Sequence, residues 1–255
     1  MTLRIASIHA HPDDAEILAG GTLALLAQAG HEITIVTMTP GDCGSAEQGA
    51  EEIAAIRRSE AGAAAGLIGA SYLCAEFRDL TIFNDDPSRR RVTELIRRLR
   101  PQVVLTSSPE DYLCDHESTS ALVRDALFAA PAPNYTTRAE DPAPALSGIP
   151  HLYFMDAVGG TNREGHVIAP DFFVDIEETF ATKKAMLALH ASQRVWLLKQ
   201  HGMDDYLEAM EQWTRACGRR SGRTFAEGFR HYRGHPYPQA PWLEEALGAR
   251  VVRVV

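Results

Sequence analysis

The sequence predicts an α/β fold: a Rossmann-like, doubly wound, mostly parallel sheet with helices on both faces, forming a single domain over residues 1–255. Three observations predict it. Short apolar, β-branched runs alternate with longer segments of helical spacing through the first half of the chain. Most of the helical segments stop at a glycine or a proline. The composition, 45% hydrophobic and 23% charged over 255 residues, is that of a globular chain long enough for one sizeable core. A β-α-β-α order of this kind is satisfied by parallel strands joined through right-handed crossovers.

Each element can be justified in turn. LRIASIHA (3–10) is a short buried strand, and EILAGGTLALLAQAG (16–30) is a helix with a terminal Gly. EITIVTMT (32–39) is the second strand, and the helix over 50–69 is again closed by Gly. SYLCAEF (71–77) is the third strand, followed by the basic amphipathic helix 89–100, stopped by Pro101. QVVLTSS (102–108) is the fourth strand, and a helix over 115–130 stops at Pro131. The Pro-rich stretch 130–150 is an irregular rim or a functional lid. HLYFMDAV (151–158) and DFFVDI (171–176) are two further strands, with GGTNREGH (159–166) read as a hairpin turn or a substrate-facing loop between them. The chain from Glu177 to about Gly218 reads as mostly helical, with Val195, Trp196 and Leu198 as core or oligomer contacts. Residues 219–255 read as an irregular C-terminal segment, whose FRHYRGHPYP (229–238) lines a pocket or seals a subunit interface.

Composition excludes several classes. A net charge of −9 argues against nucleic acid or an anionic membrane as the partner. The arginines at 89–91, with Arg97, Arg98 and Arg100, read as the solvated face of a helix. No apolar run reaches the roughly 18 residues of a membrane span, and the start of the chain has no secretory pattern, so a cytoplasmic location is expected. Cys43, Cys74, Cys114 and Cys217 lie far apart, as reduced thiols do.

The stretch HAHPDDAEILAGG carries the chemistry. Ligands of open α/β sheets bind beyond the carboxyl ends of the strands. His9, His11, Asp13 and Asp14 follow the first strand there, and Asp42 the second. Arg78 and Asp79 follow the third, while Asp111, Tyr112, Asp115 and His116 follow the fourth. Taken singly, each has an ordinary explanation: Asp13 with Glu16 resembles a capping box, and Asp115 can cap the following helix. Taken together they point to a metal site, because two His and a carboxylate form a workable set for catalytic zinc. Adjacent aspartates divide the labour: one binds the metal and the other takes a proton from water. Spacing alone does not decide which does which.

AHPDDAE followed by GG, TPGDCGS, IRRSEAGAAAGLIG and the later DYLCDHEST resemble the PIG-L/LmbE-like zinc-dependent N-deacetylases over the first half of the chain. The resemblance implies one Zn2+ per chain on His11, Asp14 and His116, with Asp13 as general base; other divalent metals suit such a set too. It implies substrate contacts from Arg57, Asp79 and Tyr112, and an orienting role for Asp115 beside a ligand ring. The implied activity is hydrolysis of an N-acetyl or N-acyl group on an amino sugar or sugar-derived small molecule, in an enzyme expected to form homo-oligomers. The alternative is a hydratase of a small unsaturated acid at the same site, with Arg163 and Arg78 as its cations. A third reading, a binding module in which HPDD only caps a helix, predicts no metal. One departure stands out: the family often carries a His where Leu113 stands here, followed by Pro where this chain has Cys114. His151, His166, His190, His201, His231 and His235 are the pool for a replacement, unless Tyr112 and zinc suffice or the chemistry differs.

Overall fold

The computed structural model describes residues 2–194 and 206–254. Eight strands form one sheet in the order β3-β2-β1-β4-β5-β7-β6-β8. They are β1 (Arg4–His9), β2 (Glu32–Thr37), β3 (Ser71–Cys74), β4 (Val103–Thr106), β5 (His151–Met155), β6 (Phe172–Asp175), β7 (Ala226–His231) and β8 (Val251–Arg253). β1 to β5 are parallel, with Ile5 opposite Ile33 and Val103, whereas β7, β6 and β8 join antiparallel. The strand order reverses direction from β1 to β4, the position where such sheets open a crevice at their carboxyl edge.

The helices are α1 (Asp14–Gln28), α2 (Ala50–Gly66), α3 (Asp86–Leu99), α4 (Cys114–Ala129), α5 (Phe180–Ala188), α6 (Tyr206–Ser221) and α7 (Trp242–Leu247). Alternate strand residues feed two cores. Ile5, Ile33, Ile35, Val103 and Leu105 pack with α1, α2, α5 and α7, while Ala6, Ile8, Val36 and Val104 pack with α3 and α4. That alternation follows from the two-residue period of a strand covered on both faces.

Three segments depart from the sequence reading. The C-terminal 219–255 is not irregular: it supplies β7, α7 and β8. Its strand AEGFRH is buried on both faces, so the apolar/polar alternation that marks a half-buried strand is missing. β7 also lies between β5 and β6, so 159–166 does not turn a hairpin between those two strands. The segment closes on itself through a bridge between Thr161 and Val167. Stretch 130–150 carries no helix or strand and is tied to α3: Arg97 donates to the Ala130 carbonyl at 3.0 Å, and Glu94 accepts from Thr137 at 2.6 Å and from the Ala143 N–H at 2.9 Å. Val195, Trp196 and Leu198 lie outside the described residues.

The paired glycines of α1 have a packing reason. A Cβ on Gly21 would sit 2.6 Å from the Ile176 side chain. The close approach lets Glu227 of β7 accept from the N–H groups of Gly21 at 2.9 Å and Thr22 at 2.8 Å. The same carboxylate pairs with Lys183 of α5 at 2.7 Å, both side chains being 1% exposed. α1, the first element after the HPDD loop, is thereby tied to the second half of the chain.

Candidate active site

The loops after β1, β2, β3 and β4 converge at one sheet edge. Asp13 precedes α1 with φ 103° and makes no helix-capping hydrogen bond. A non-glycine residue in that region of backbone space costs about 1–3 kcal/mol and persists where its surroundings over-determine it. The capping-box reading therefore fails for Asp13. Asp115 is no cap either, since α4 starts after Leu113 and Asp115 accepts from the Leu80 N–H at 2.7 Å.

His11, Asp14 and His116 each offer one ligand atom, and these atoms lie within 4.8 Å of one another. Asp14 Oδ2 accepts from the His11 N–H at 2.9 Å and lies 3.6 Å from His11 Nδ1; Oδ1 is 3.3 Å from His116 Nε2. His116 Nδ1 is held by Asp111 Oδ1 at 2.9 Å, while Nε2 is buried without a well-directed hydrogen bond. An orphaned imidazole nitrogen facing a carboxylate and a second imidazole suits a borderline divalent metal.

The electrostatics agree. Burial disfavours the His116 cation, yet Asp14 and Asp111 outweigh it and hold the ring's pKa well above the usual imidazole range. His11 is raised to about 9, with Asp115 and Asp14 overcoming its burial. Asp14 is held well below the usual carboxylate range, because His116 and His11 overcome the effect of burial. Carboxylates that favour a proton on each ring favour a metal cation in its place. His9 stays out of this set: burial lowers its pKa to about 4, and its Nε2 lies 2.6 Å from Ser7 Oγ.

The ligand ring that Asp115 stands beside is that of His11. Asp115 lies 3.4 Å from His11 Nε2, and Asp79 stands 3.9 Å from the same nitrogen. The residue that holds His116 is Asp111, which the sequence reading noted on this loop without giving it a role. Its signal was an aspartate at each end of DYLCD, either one in reach of His116.

The three expected substrate contacts fare differently. Arg57 is 4% exposed and turned inward: Nη2 donates to the Pro12 carbonyl at 2.7 Å and lies 3.6 Å from Asp13 Oδ2, and Nη1 donates to the Gly41 carbonyl at 3.3 Å. It clamps the loops after β1 and β2, and a Cβ on Gly41 would strike its guanidinium. Asp79 is 8% exposed and accepts from Thr39 Oγ1 and from the Cys43 N–H at 3.0 Å. Tyr112 is 59% exposed, its ring edge-on to His116 at 5.6 Å, and is the one of the three that faces solvent.

Asp13 itself is 8% exposed and accepts a hydrogen bond from Tyr206 at 2.5 Å. Burial, with the neighbouring Asp14 charge, raises its pKa against the pull of Arg57. Of the histidine pool, His190 comes towards Asp13: it is buried, 3.5 Å from Glu16 Oε1, and its charge acts on Asp13. His231 stacks on Tyr153 at 4.5 Å with His151 beside it, His166 is exposed, and His201 lies outside the described residues.

Fold and cluster together define a doubly wound α/β protein with a buried His–carboxylate centre at the carboxyl ends of its parallel strands. Residues 6–127 match the family described as PIG-L: GlcNAc-PI de-N-acetylase. It is 28% identical to the diacetylchitobiose deacetylase of Thermococcus kodakarensis over 241 residues, 91% of this chain and 84% of that one. It is 29% identical to the 4-oxalmesaconate hydratase of Pseudomonas putida over 194 residues, 73% of this chain and 72% of that one. The solved N,N'-diacetylchitobiose deacetylase of Pyrococcus horikoshii superposes with a TM-score of 0.75 at 25% identity, covering 94% of this chain and 88% of that one.

Proposed function

We propose that this protein is a metal-dependent amidohydrolase that removes an N-acetyl or N-acyl group from an amino sugar or a sugar-derived small molecule. The observation that carries the reading is the convergence of His11, Asp14 and His116 beside Asp13, a carboxylate that caps no helix. Deacetylase relatives over most of the chain support the substrate class.

His11, Asp14 and His116 would hold one Zn2+ or a similar divalent ion. Once bound, that ion supplies a Lewis acid for the acyl oxygen and for the attacking water. Asp13 takes the proton from the water and returns it to the departing amine nitrogen. Asp111 keeps His116 Nδ1 protonated and Nε2 free, and Asp115 does the corresponding work at His11 Nε2. Arg57 keeps the Pro12 and Gly41 loops in register, and exposed Tyr112 meets the substrate beside His116.

The hydratase reading draws support from the Pseudomonas putida relative and from Leu113. It asks for cations near the site: Arg163 pairs with Glu117, and Arg78 is an exposed side chain 3.4 Å from Asp42. Among the described residues no helix is long and apolar enough to cross a membrane.

The test is amine release from N-acetylglucosamine and diacetylchitobiose by zinc-loaded protein, with the metal counted per chain and then stripped by a chelator. One metal per chain, with activity lost on stripping and restored by zinc, is expected. Metal without amine release, but with hydration of an unsaturated dicarboxylic acid, would transfer the site to the hydratase reading. Asp111→Ala is expected to weaken zinc binding by about 10–100-fold in a chelator competition, as loss of a ring-orienting partner does. An unchanged affinity would remove Asp111 from the site.

A further inference from the structure

We propose that Tyr206, the first residue of α6, is a positioning residue that pins one oxygen of Asp13 and so aims the other at the reacting water; this rests on the reading of Asp13 as the base. Tyr206 is 193 residues from Asp13 in sequence and 6% exposed. Its phenol hydroxyl donates to Asp13 Oδ2 at 2.5 Å.

Asp13 has an unusual mechanical problem. Its backbone, at φ 103°, turns the side chain away from the capping position that an aspartate before a helix ordinarily takes. A carboxylate freed from the cap can rotate about two bonds. Arg57 makes no hydrogen bond to it: its nearest nitrogen, Nη2, stands 3.6 Å from Oδ2, beyond hydrogen-bond reach, and donates to the Pro12 carbonyl at 2.7 Å. The direct bond to that carboxylate among the described residues comes from Tyr206. Both contacts fall on Oδ2, which leaves Oδ1 as the oxygen without a hydrogen bond among the described residues. One oxygen is thus anchored to α6 and the other is available to the site.

The anchor is itself immobilised. Tyr206 packs with Leu187 of α5 and Met210 of α6 in a small buried cluster, against Ile17 of α1 and Leu207. His190, just after α5, lies 3.5 Å from Glu16 of α1. General bases act only within hydrogen-bond reach of the proton they take, so an error in carboxylate orientation is felt in the chemical step rather than in substrate binding.

Tyr206→Phe removes the hydroxyl and keeps the ring in its cluster. With diacetylchitobiose as probe, kcat is expected to fall by about ten- to a hundredfold, a fraction of the effect of losing a general base. KM and zinc content are expected to stay as in the wild type. Leu207→Ala, which loosens the same helix without touching the bond, is the control. An unchanged kcat in Tyr206→Phe overturns the proposal, and so does an equal loss of kcat in Leu207→Ala. A crystal structure of zinc-loaded Tyr206→Phe gives a second readout that does not need turnover. A rotated Asp13 carboxylate supports the pinning role, and an unmoved one overturns it. If wild-type protein releases no amine from any N-acetyl probe, the deacetylase reading fails while that structure still decides the role of Tyr206.

Discussion

Asp13→Asn is expected to lower kcat by about 10²–10⁴-fold while one metal per chain stays bound. That range is what a positioned proton-transfer group contributes, and the amide of Asn cannot accept the water's proton. Asn is chosen over Ala because Asn tolerates positive φ better than other side chains of its size, so the backbone at φ 103° is not strained further. Its amide oxygen can still accept from Tyr206. The measurement is steady-state turnover of an N-acetylated amino sugar alongside metal analysis of the same samples. Loss of the metal in Asp13→Asn would make Asp13 a ligand and not the base. A loss of kcat under tenfold would move the proton transfer to another group, and His190 beside Glu16 would be the first to examine.

The largest expected effect on stability lies away from the chemistry. Glu227→Leu is expected to destabilise the fold by about 3–5 kcal/mol, the range for breaking a buried ion pair from one side. It leaves the Lys183 ammonium, 1% exposed, without its 2.7 Å partner. It also removes the acceptor of the Gly21 and Thr22 N–H groups inside α1. Adding Lys183→Met recovers only part of the loss, because those two amide groups still lack their acceptor. Denaturant unfolding checks both variants. A loss below about 1 kcal/mol in Glu227→Leu would mean that water or a shifted Lys183 replaces the carboxylate. Since α1 begins at the ligand Asp14, directly after Asp13, Glu227→Leu should also weaken zinc binding, whereas Asp13→Asn should leave stability nearly unchanged.

Much of this molecule can be read from residues in order. The parallel half of the sheet, β1 to β5, follows from local runs whose spacing matches either a strand or a helix, and whose ends carry Gly or Pro. The grouping of His11, Asp13, Asp14 and His116 follows too, since parallel strands put all their following loops on one edge. These features are local or follow from topology, so neighbouring residues suffice to specify them.

What the tertiary structure alone decided is the partner of each polar group. Whether Asp111 or Asp115 holds His116 depends on how α4 begins, and both aspartates are within reach along the chain. Arg57 could meet substrate or backbone, and only the packing of the loops after β1 and β2 turned it inward. β7 hides in a Gly- and aromatic-rich stretch because a strand buried on both faces shows no alternation. The Tyr206–Asp13 and Glu227–Lys183 pairs join residues far apart in the chain, which meet only after the sheet has closed and α5 and α6 have packed on α1. Local sequence determines where this chain bends and which face it buries; a hydrogen bond across 193 residues has no local signature and exists only in the folded state.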